Sequence, residues 1–237
     1  LDMQWIYNYH LFLFDFDGLL VNTEELHYRA YKTMCAKRGT TLPWDFNRYC
    51  QAAHYEAEGL RIQIYAACPA LLQQEPDWSV LYKEKQAIMK ELLRSDEIAL
   101  MPGAEELLTN LSKTSIKRAV VTHSPHELIA IIREKLPLLQ SIPNWITRDF
   151  YAKPKPHPEC YLKAIDMLSA PNDRIIGFED TPRGVTALLS SKAEPILVCQ
   201  ADYPEIPRFI ASGVQHFHSL HDLCQKGPSS RLVEDTD

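Results

Sequence analysis

Four consecutive apolar residues, Leu11, Phe12, Leu13 and Phe14, run straight into Asp15, Phe16, Asp17 and Gly18. An apolar run of that length, closed by a residue that turns easily, predicts a short buried strand feeding a loop. From Asn22 the period changes to that of a helix. Leu26, Ala30 and Met34 recur every fourth residue, with Asn22 placed to cap and Glu25 three positions on, which predicts a helix to about Lys37. Residues 22–98 show no convincing strand pattern; their clearest feature is a helical stripe of Leu81, Lys85, Ile88 and Leu92, flanked by Tyr82, Met89 and Leu93. Met101, Pro102 and Gly103 break the pattern, and helical Leu107, Leu108 and Leu111 follow.

Beyond them the pattern alternates. Strand-like residues 119–121 precede a helix opening at Ser124 and Pro125, with Glu127 completing a capping box; a short strand near 145–147 precedes a helix from about Pro158. Strand-like 174–178 precedes a helix started by Thr181 and Pro182, and strands at 196–199 and 214–217 complete the series. Strands alternating with helices predict an α/β fold with a doubly wound parallel sheet. The expected organisation is an α/β core of residues 1–21 and 99–237, with an all-helical domain, residues 22–98, inserted as a cap. Hinges are expected near 20–22 and 95–101, and a frayed polar tail over 227–237.

Composition narrows the classes of partner. The chain has 237 residues, enough for a core domain with a smaller insert, and a formal charge of −6. That balance argues against a nucleic-acid or anionic-membrane binder, since those partners reward clustered Lys and Arg. The six cysteines, Cys35, Cys50, Cys68, Cys160, Cys199 and Cys224, form no C-x-x-C pair and read as reduced thiols. The apolar run at 11–14 is too short to span a bilayer and no signal peptide is evident, so a cytoplasmic location is expected. Nothing in the chain sets an oligomeric state, and a monomer suffices.

In an open parallel sheet, ligands collect at the carboxyl ends of the strands. Here three strand-like runs deliver polar groups to that edge: Asp15 and Asp17 after the first, Thr122, His123 and Ser124 after the second, Glu179 and Asp180 after the fourth. Asp-x-Asp-Gly alone also suits a simple turn or a calcium loop. The calcium loop fails, because counting from Asp15 puts Leu20 where the glycine belongs and Leu26 where the bidentate glutamate belongs.

The full set is more specific: Asp15-Phe-Asp-Gly-Leu-Leu-Val-Asn-Thr23-Glu24, then Val-Val-Thr122, then Lys155-Pro-His-Pro, then Gly-Phe-Glu179-Asp180-Thr-Pro-Arg-Gly184, in this order. With it the chain resembles the haloacid dehalogenase superfamily of phosphohydrolases, in the subfamily with a helical cap inserted after the first motif. That group includes beta-phosphoglucomutase and many sugar- and nucleotide-phosphate phosphatases. The likeness runs from about residue 10 to residue 224.

The resemblance implies a Mg2+-dependent phosphatase of small phosphorylated metabolites. Asp15 would be the nucleophile that forms an aspartyl-phosphate, and Asp17 the proton donor and acceptor. Thr122 and Lys155 would hold the phosphoryl group, and Asp15, the Asp17 carbonyl, Asp180 and Glu179 would surround the metal. Glu179 is open between ligand, acceptor behind the metal's water, and plain strand-end acid. Two lysines compete: Lys155 has an aromatic residue, Tyr161, six positions on, whereas Lys153 reaches Glu159. Substrate contacts are expected at Glu24, His27, His123 and Ser124, with helix packing as the alternative for His27, and His54 and Tyr55 are candidates from the cap. Superfamily members that dehalogenate haloacids lack an aspartate at the position of Asp17. The alternatives are a phosphomutase, against which Glu56 stands where its second-phosphate arginine would align, with Arg61 able to replace it, and a binding module with vestigial chemistry.

Overall fold

The computed structural model describes residues 3–55 and 59–229. Its centre is a six-stranded sheet: β1 (Leu11–Phe14), β2 (Lys117–Val121), β3 (Asn144–Ile146), β4 (Ile175–Glu179), β5 (Glu194–Val198) and β6 (Gln215–Phe217). The order is β3-β2-β1-β4-β5-β6, and every pairing is parallel. This is the doubly wound α/β arrangement that alternating strand and helix patterns predict.

Both faces of the sheet are covered, so β1 and β4 are buried along their whole length, β1 apolar throughout and β4 up to its last residue, Glu179. Leu11 and Leu13 join Ala119, Val121 and, from α8 (Glu159–Leu168), Cys160, Tyr161, Ala164 and Ile165. Phe12, Phe14 and Phe178 point the other way, toward Leu107, Leu108 and Leu111 of α6 (Ala104–Ser112) and Leu223 of α11 (Leu220–Lys226). Phe14 and Phe178 stack with ring centroids 5.1 Å apart. Each such buried ring is worth roughly 1.5–3 kcal/mol over leaving it exposed. The remaining helices of this part are α7 (His126–Lys135), α9 (Pro182–Leu189) and α10 (Ile206–Ala211).

Between β1 and α6 the chain forms α1 (Thr23–Lys37), α2 (Phe46–Tyr55), α3 (Gly59–Ala67), α4 (Pro69–Gln74) and α5 (Trp78–Arg94), with no strand among the described residues. The stripe on α5 buries Leu81, Lys85, Ile88, Met89 and Leu93, and α5 packs along α1. The two segments that join these helices to the sheet run side by side: Asn22 N donates to Ala99 O (3.0 Å) and Met101 N to Leu20 O (2.8 Å).

Three local expectations are corrected. Asn22 does not cap α1 with its side chain; its amide accepts from Ala99 N at 2.9 Å and donates to Glu97 O at 2.8 Å, tying the two connecting segments together. No side chain caps α7, because the Ser124 hydroxyl donates to Asp17 instead. The first residues of the expected frayed tail are bound: Ser229 N donates to Gln215 Oε1 at 2.7 Å, and Gly227 packs on Trp5. The rest of that tail lies outside the described residues, as do Glu56 and the side chain of Tyr55. No helix of the described residues is long and apolar enough to cross a membrane.

Candidate active site

The strand order reverses at β1, so the crossovers on its two sides diverge and leave a crevice at its carboxyl end. Asp15 and Asp17 follow β1, Thr122, His123 and Ser124 follow β2, Glu179 ends β4 and Asp180 comes next. Together with Lys155 they line one cleft of about 370 Å3, closed on the helical side by Glu24 and His54 and on the α9 side by Arg183.

Lys155 is the hub. Its ammonium lies 2.7 Å from Asp15 Oδ1, 2.6 Å from Glu179 Oε1 and 2.9 Å from Val121 O, which satisfies all three donors. Burial alone would favour the neutral amine, but Asp15 and Glu179 outweigh it and hold its pKa well above the ordinary value. Lys153 is exposed, and its backbone N–H donates to Glu159. Tyr161 lies under Lys155, 5.1 Å from ammonium to ring centroid, and donates its hydroxyl to Glu179. Tyr161→Phe removes that donor without changing the ring, and about a tenfold fall in kcat is expected, the lower end for groups that orient charged site residues. Initial rates on the purified variant check this; an unchanged rate would show that Glu179 needs no such support.

Asp15, Glu179 and Asp180 each bring a carboxylate oxygen within 4.8 Å of the others. Asp180 is buried, and its Oδ1 has no hydrogen-bond partner. Two glycines permit this crowding. Gly18, at φ +80, would place a Cβ 2.2 Å from Asp180 Oδ2, and a Cβ on Gly184 would lie 1.9 Å from Glu179 Oε2. Burial first, then Asp15, raises the pKa of Glu179 to about 8 and that of Asp180 well above the carboxylate range. Three acids beside one lysine, with an orphaned carboxylate oxygen, suit a hard divalent cation that takes oxygen ligands.

These shifts predict a pH dependence for the metal-free protein. Groups with a raised folded pKa bind more protons folded than unfolded, so stability falls as pH rises from the ordinary carboxyl values of 3.8 and 4.5 toward 8. The melting temperature in chelator should drop across that window, and saturating Mg2+ should flatten the slope. His27, which burial lowers to about 4, acts in the opposite sense below its ordinary 6.5, so the acids are read from pH 6.5 to 8, and a metal-free melting temperature that rises there would contradict the assignment.

Asp17 has a different environment. Its Oδ1 accepts from Thr23 Oγ1 at 2.6 Å, and its Oδ2 from the Ser124 hydroxyl. Burial and then Glu24 push its pKa up to about 6, against the pull of Ser124 and Thr23. A carboxyl group there can both give and take a proton near neutral pH. Thr122 is buried; its oxygen accepts from Ser124 N at 3.1 Å, which leaves its O–H free to donate. His123 lies tilted against Tyr151 and shares a 3.1 Å contact with its hydroxyl; burial, Arg148 and Lys155 lower its pKa and favour the neutral ring.

The expected substrate contacts divide. Glu24, His123 and Ser124 line the cleft, whereas His27 lines neither it nor the neighbouring cavity. His27 Nδ1 instead meets Lys85 Nζ at 2.7 Å, and burial drives the histidine down to about 4 and the lysine to about 8. Lys85, Thr23 and Arg183 were not singled out by their residue types or spacing. The available sign was a lysine in the middle of the apolar stripe on α5, a place where a charge needs a buried partner.

Residues 12–198 match the family model described as haloacid dehalogenase-like hydrolase. The phosphorylated carbohydrates phosphatase of Thermotoga maritima is 29% identical over 184 residues, 78% of this chain and 82% of that protein. The beta-phosphoglucomutase of Mycobacterium bovis is 26% identical over 196 residues, 74% and 75% of the two chains. A crystal structure of a HAD hydrolase, family IA, variant 3, from Entamoeba histolytica superposes with a TM-score of 0.67 at 26% identity, covering 91% of this chain and 99% of that one.

Proposed function

The chain belongs to the haloacid dehalogenase-like hydrolases, and from that premise and the geometry of the cleft we propose that it is a phosphatase of small phosphorylated metabolites, of carbohydrate type. The observation that carries the proposal is the pairing of Asp15, held by Lys155 in the cleft, with Asp17, whose carboxyl is poised at about 6 on the same loop. One carboxylate is set to attack and the other to move protons.

In this reading an Asp15 oxygen attacks phosphorus and the bond to the leaving oxygen breaks, while Asp17 delivers its proton to that oxygen. The alcohol departs, leaving phosphate esterified to Asp15. Asp17, now ionised, takes a proton from a water that attacks the same phosphorus, and inorganic phosphate leaves with both aspartates restored. Thr122 donates to a phosphoryl oxygen, and Lys155 offsets the charge that builds on the others. Mg2+, held by Asp15, Asp180 and the Asp17 carbonyl, with Glu179 as ligand or as acceptor behind its water, would cancel the repulsion between carboxylate and phosphate. Residues 22–98 act as a cap, hinged where the segments around Val21 and Leu100 run together, and closure excludes bulk water from the cleft.

Phosphate release from a panel of sugar phosphates, nucleotides and phosphorylated acids, with Mg2+ and with chelator, tests this directly. Purified protein inert toward the whole panel, yet binding phosphate analogues, would favour the vestigial binding module. The similarity to a beta-phosphoglucomutase supports a second reading as a sugar phosphomutase. That enzyme would isomerise a hexose phosphate, given a bisphosphate primer, faster than it frees phosphate.

A further inference from the structure

Two cationic side chains line the catalytic cleft without a part in the steps above: Arg183, in the first turn of α9, and His54, near the end of α2. Arg183 spends one guanidinium N–H on Lys155 O, at 2.8 Å. Among the described residues its other N–H groups have no protein acceptor. His54 Nε2 lies 3.2 Å from Glu24 Oε2. Burial works against its charge, but Glu24 and then Asp15 outweigh burial and raise its pKa, even though Arg183 opposes them.

Arg183 and His54 line the same cleft, and the guanidinium N–H groups not taken by Lys155 O would find their acceptors in an anion bound there. The reacting phosphate already has Lys155 and the Thr122 hydroxyl, and a cation held by the acidic cluster would add to them. His54, in contrast, comes from the helical segment, opposite the strand ends, where a leaving group would lie. Charge balance narrows the chemistry further. Among the described residues that line the cleft, Lys155 pairs with Asp15 and Glu179 and His54 meets Glu24, which leaves Arg183 as the cation with no carboxylate partner; its single charge matches a carboxylate better than a phosphate dianion. The guanidinium fork also fits a planar carboxylate.

We propose that Arg183 and His54 form a subsite for a carboxylate on the leaving group, so that this chain favours phosphorylated sugar acids over the corresponding phosphorylated polyols. The inference rests on the phosphatase reading. Its test uses pairs that differ only in that group: 6-phosphogluconate against glucitol 6-phosphate, and 3-phosphoglycerate against glycerol 3-phosphate, with the full chain and Mg2+. The wild-type protein is expected to show a higher kcat/KM for the acid in at least one pair. Arg183→Ala should collapse the ratio of acid to polyol roughly 10- to 100-fold, the usual loss for a hydrogen bond to a charged group. Arg183→Gln keeps the length of the side chain if the alanine variant fails to fold, and His54→Gln should move the ratio the same way.

Phosphate release from neither member of any pair, nor from the wider panel, would sink the phosphatase reading and this inference with it. Turnover with a ratio that Arg183→Ala leaves unchanged would overturn the subsite alone and make Arg183 a brace for the Lys155 turn. A variant that loses fructose 1,6-bisphosphate relative to fructose 1-phosphate, but not the acids, would overturn the carboxylate assignment.

Discussion

Asp15→Asn is expected to lower phosphate release by at least about 10^4-fold, roughly 5 kcal/mol of transition-state stabilisation, the scale seen when a nucleophile is deleted from an assembled site. The substitution is nearly isosteric. Asn can still accept from Lys155 through its amide oxygen, and Lys155 keeps Glu179 and Val121 O. The fold should therefore persist, and circular dichroism and the melting transition serve as controls. What is lost is the negative oxygen that would attack phosphorus; of the other cleft acids, Glu179 is occupied by Lys155 and Tyr161, Asp17 by Thr23 and Ser124 and Glu24 by His54, while Asp180 is assigned to the metal. Residual activity within tenfold of the wild type would show that water attacks directly and that Asp15 only holds charge. Labelled phosphate recovered on the protein after acid quench separates these cases, since only the wild type should carry it.

Much of this site was legible in the chain because each polar group follows an apolar run. Leu11–Phe14 reads as a buried strand, so Asp15 and Asp17 had to emerge at its carboxyl end, and the same reasoning placed Thr122 and Asp180. The six-residue spacing from Lys155 to Tyr161 also reports real geometry, the ring lying beneath the ammonium. Partner choice was not legible. Ser124 looked like a helix cap, a local role, but its hydroxyl is taken by Asp17, 107 residues away in sequence. Asn22 likewise trades a local cap for a bond to the returning segment at Ala99. Lys85 sits on an apolar stripe whose period says that it is buried but not that it meets His27, 58 residues earlier. Arg183 lies inside a recognisable motif, yet only the fold brings it into one cleft with His54. Periodicity fixes which way a side chain faces; what it meets there depends on contacts between distant segments.

Asp17→Asn should separate the two halves of the reaction. The amide that replaces the carboxyl cannot donate or accept the catalytic proton, and a loss of about 10^2- to 10^4-fold is expected for alkyl phosphates, the usual worth of a positioned acid–base group. Its oxygen can still accept from Thr23 or Ser124, so the loop held by Gly18 should keep its shape. The penalty depends on the leaving group. With 4-nitrophenyl phosphate the departing oxygen needs little protonation, so attack by Asp15 should proceed at close to the wild-type rate. Hydrolysis of the aspartyl-phosphate still needs a base for its water, and that base is gone. The variant should then release a burst of nitrophenol close to the enzyme concentration, followed by a slow steady state, whereas the wild type shows no burst of that size. Sugar phosphates, which in this reading need the acid in the first step, should give no burst and turn over more slowly by the factor stated above. If both substrates lost activity by the same factor and no burst appeared, Asp17 would be organising the loop, and the proton at about pH 6 would belong to the fold rather than to the reaction.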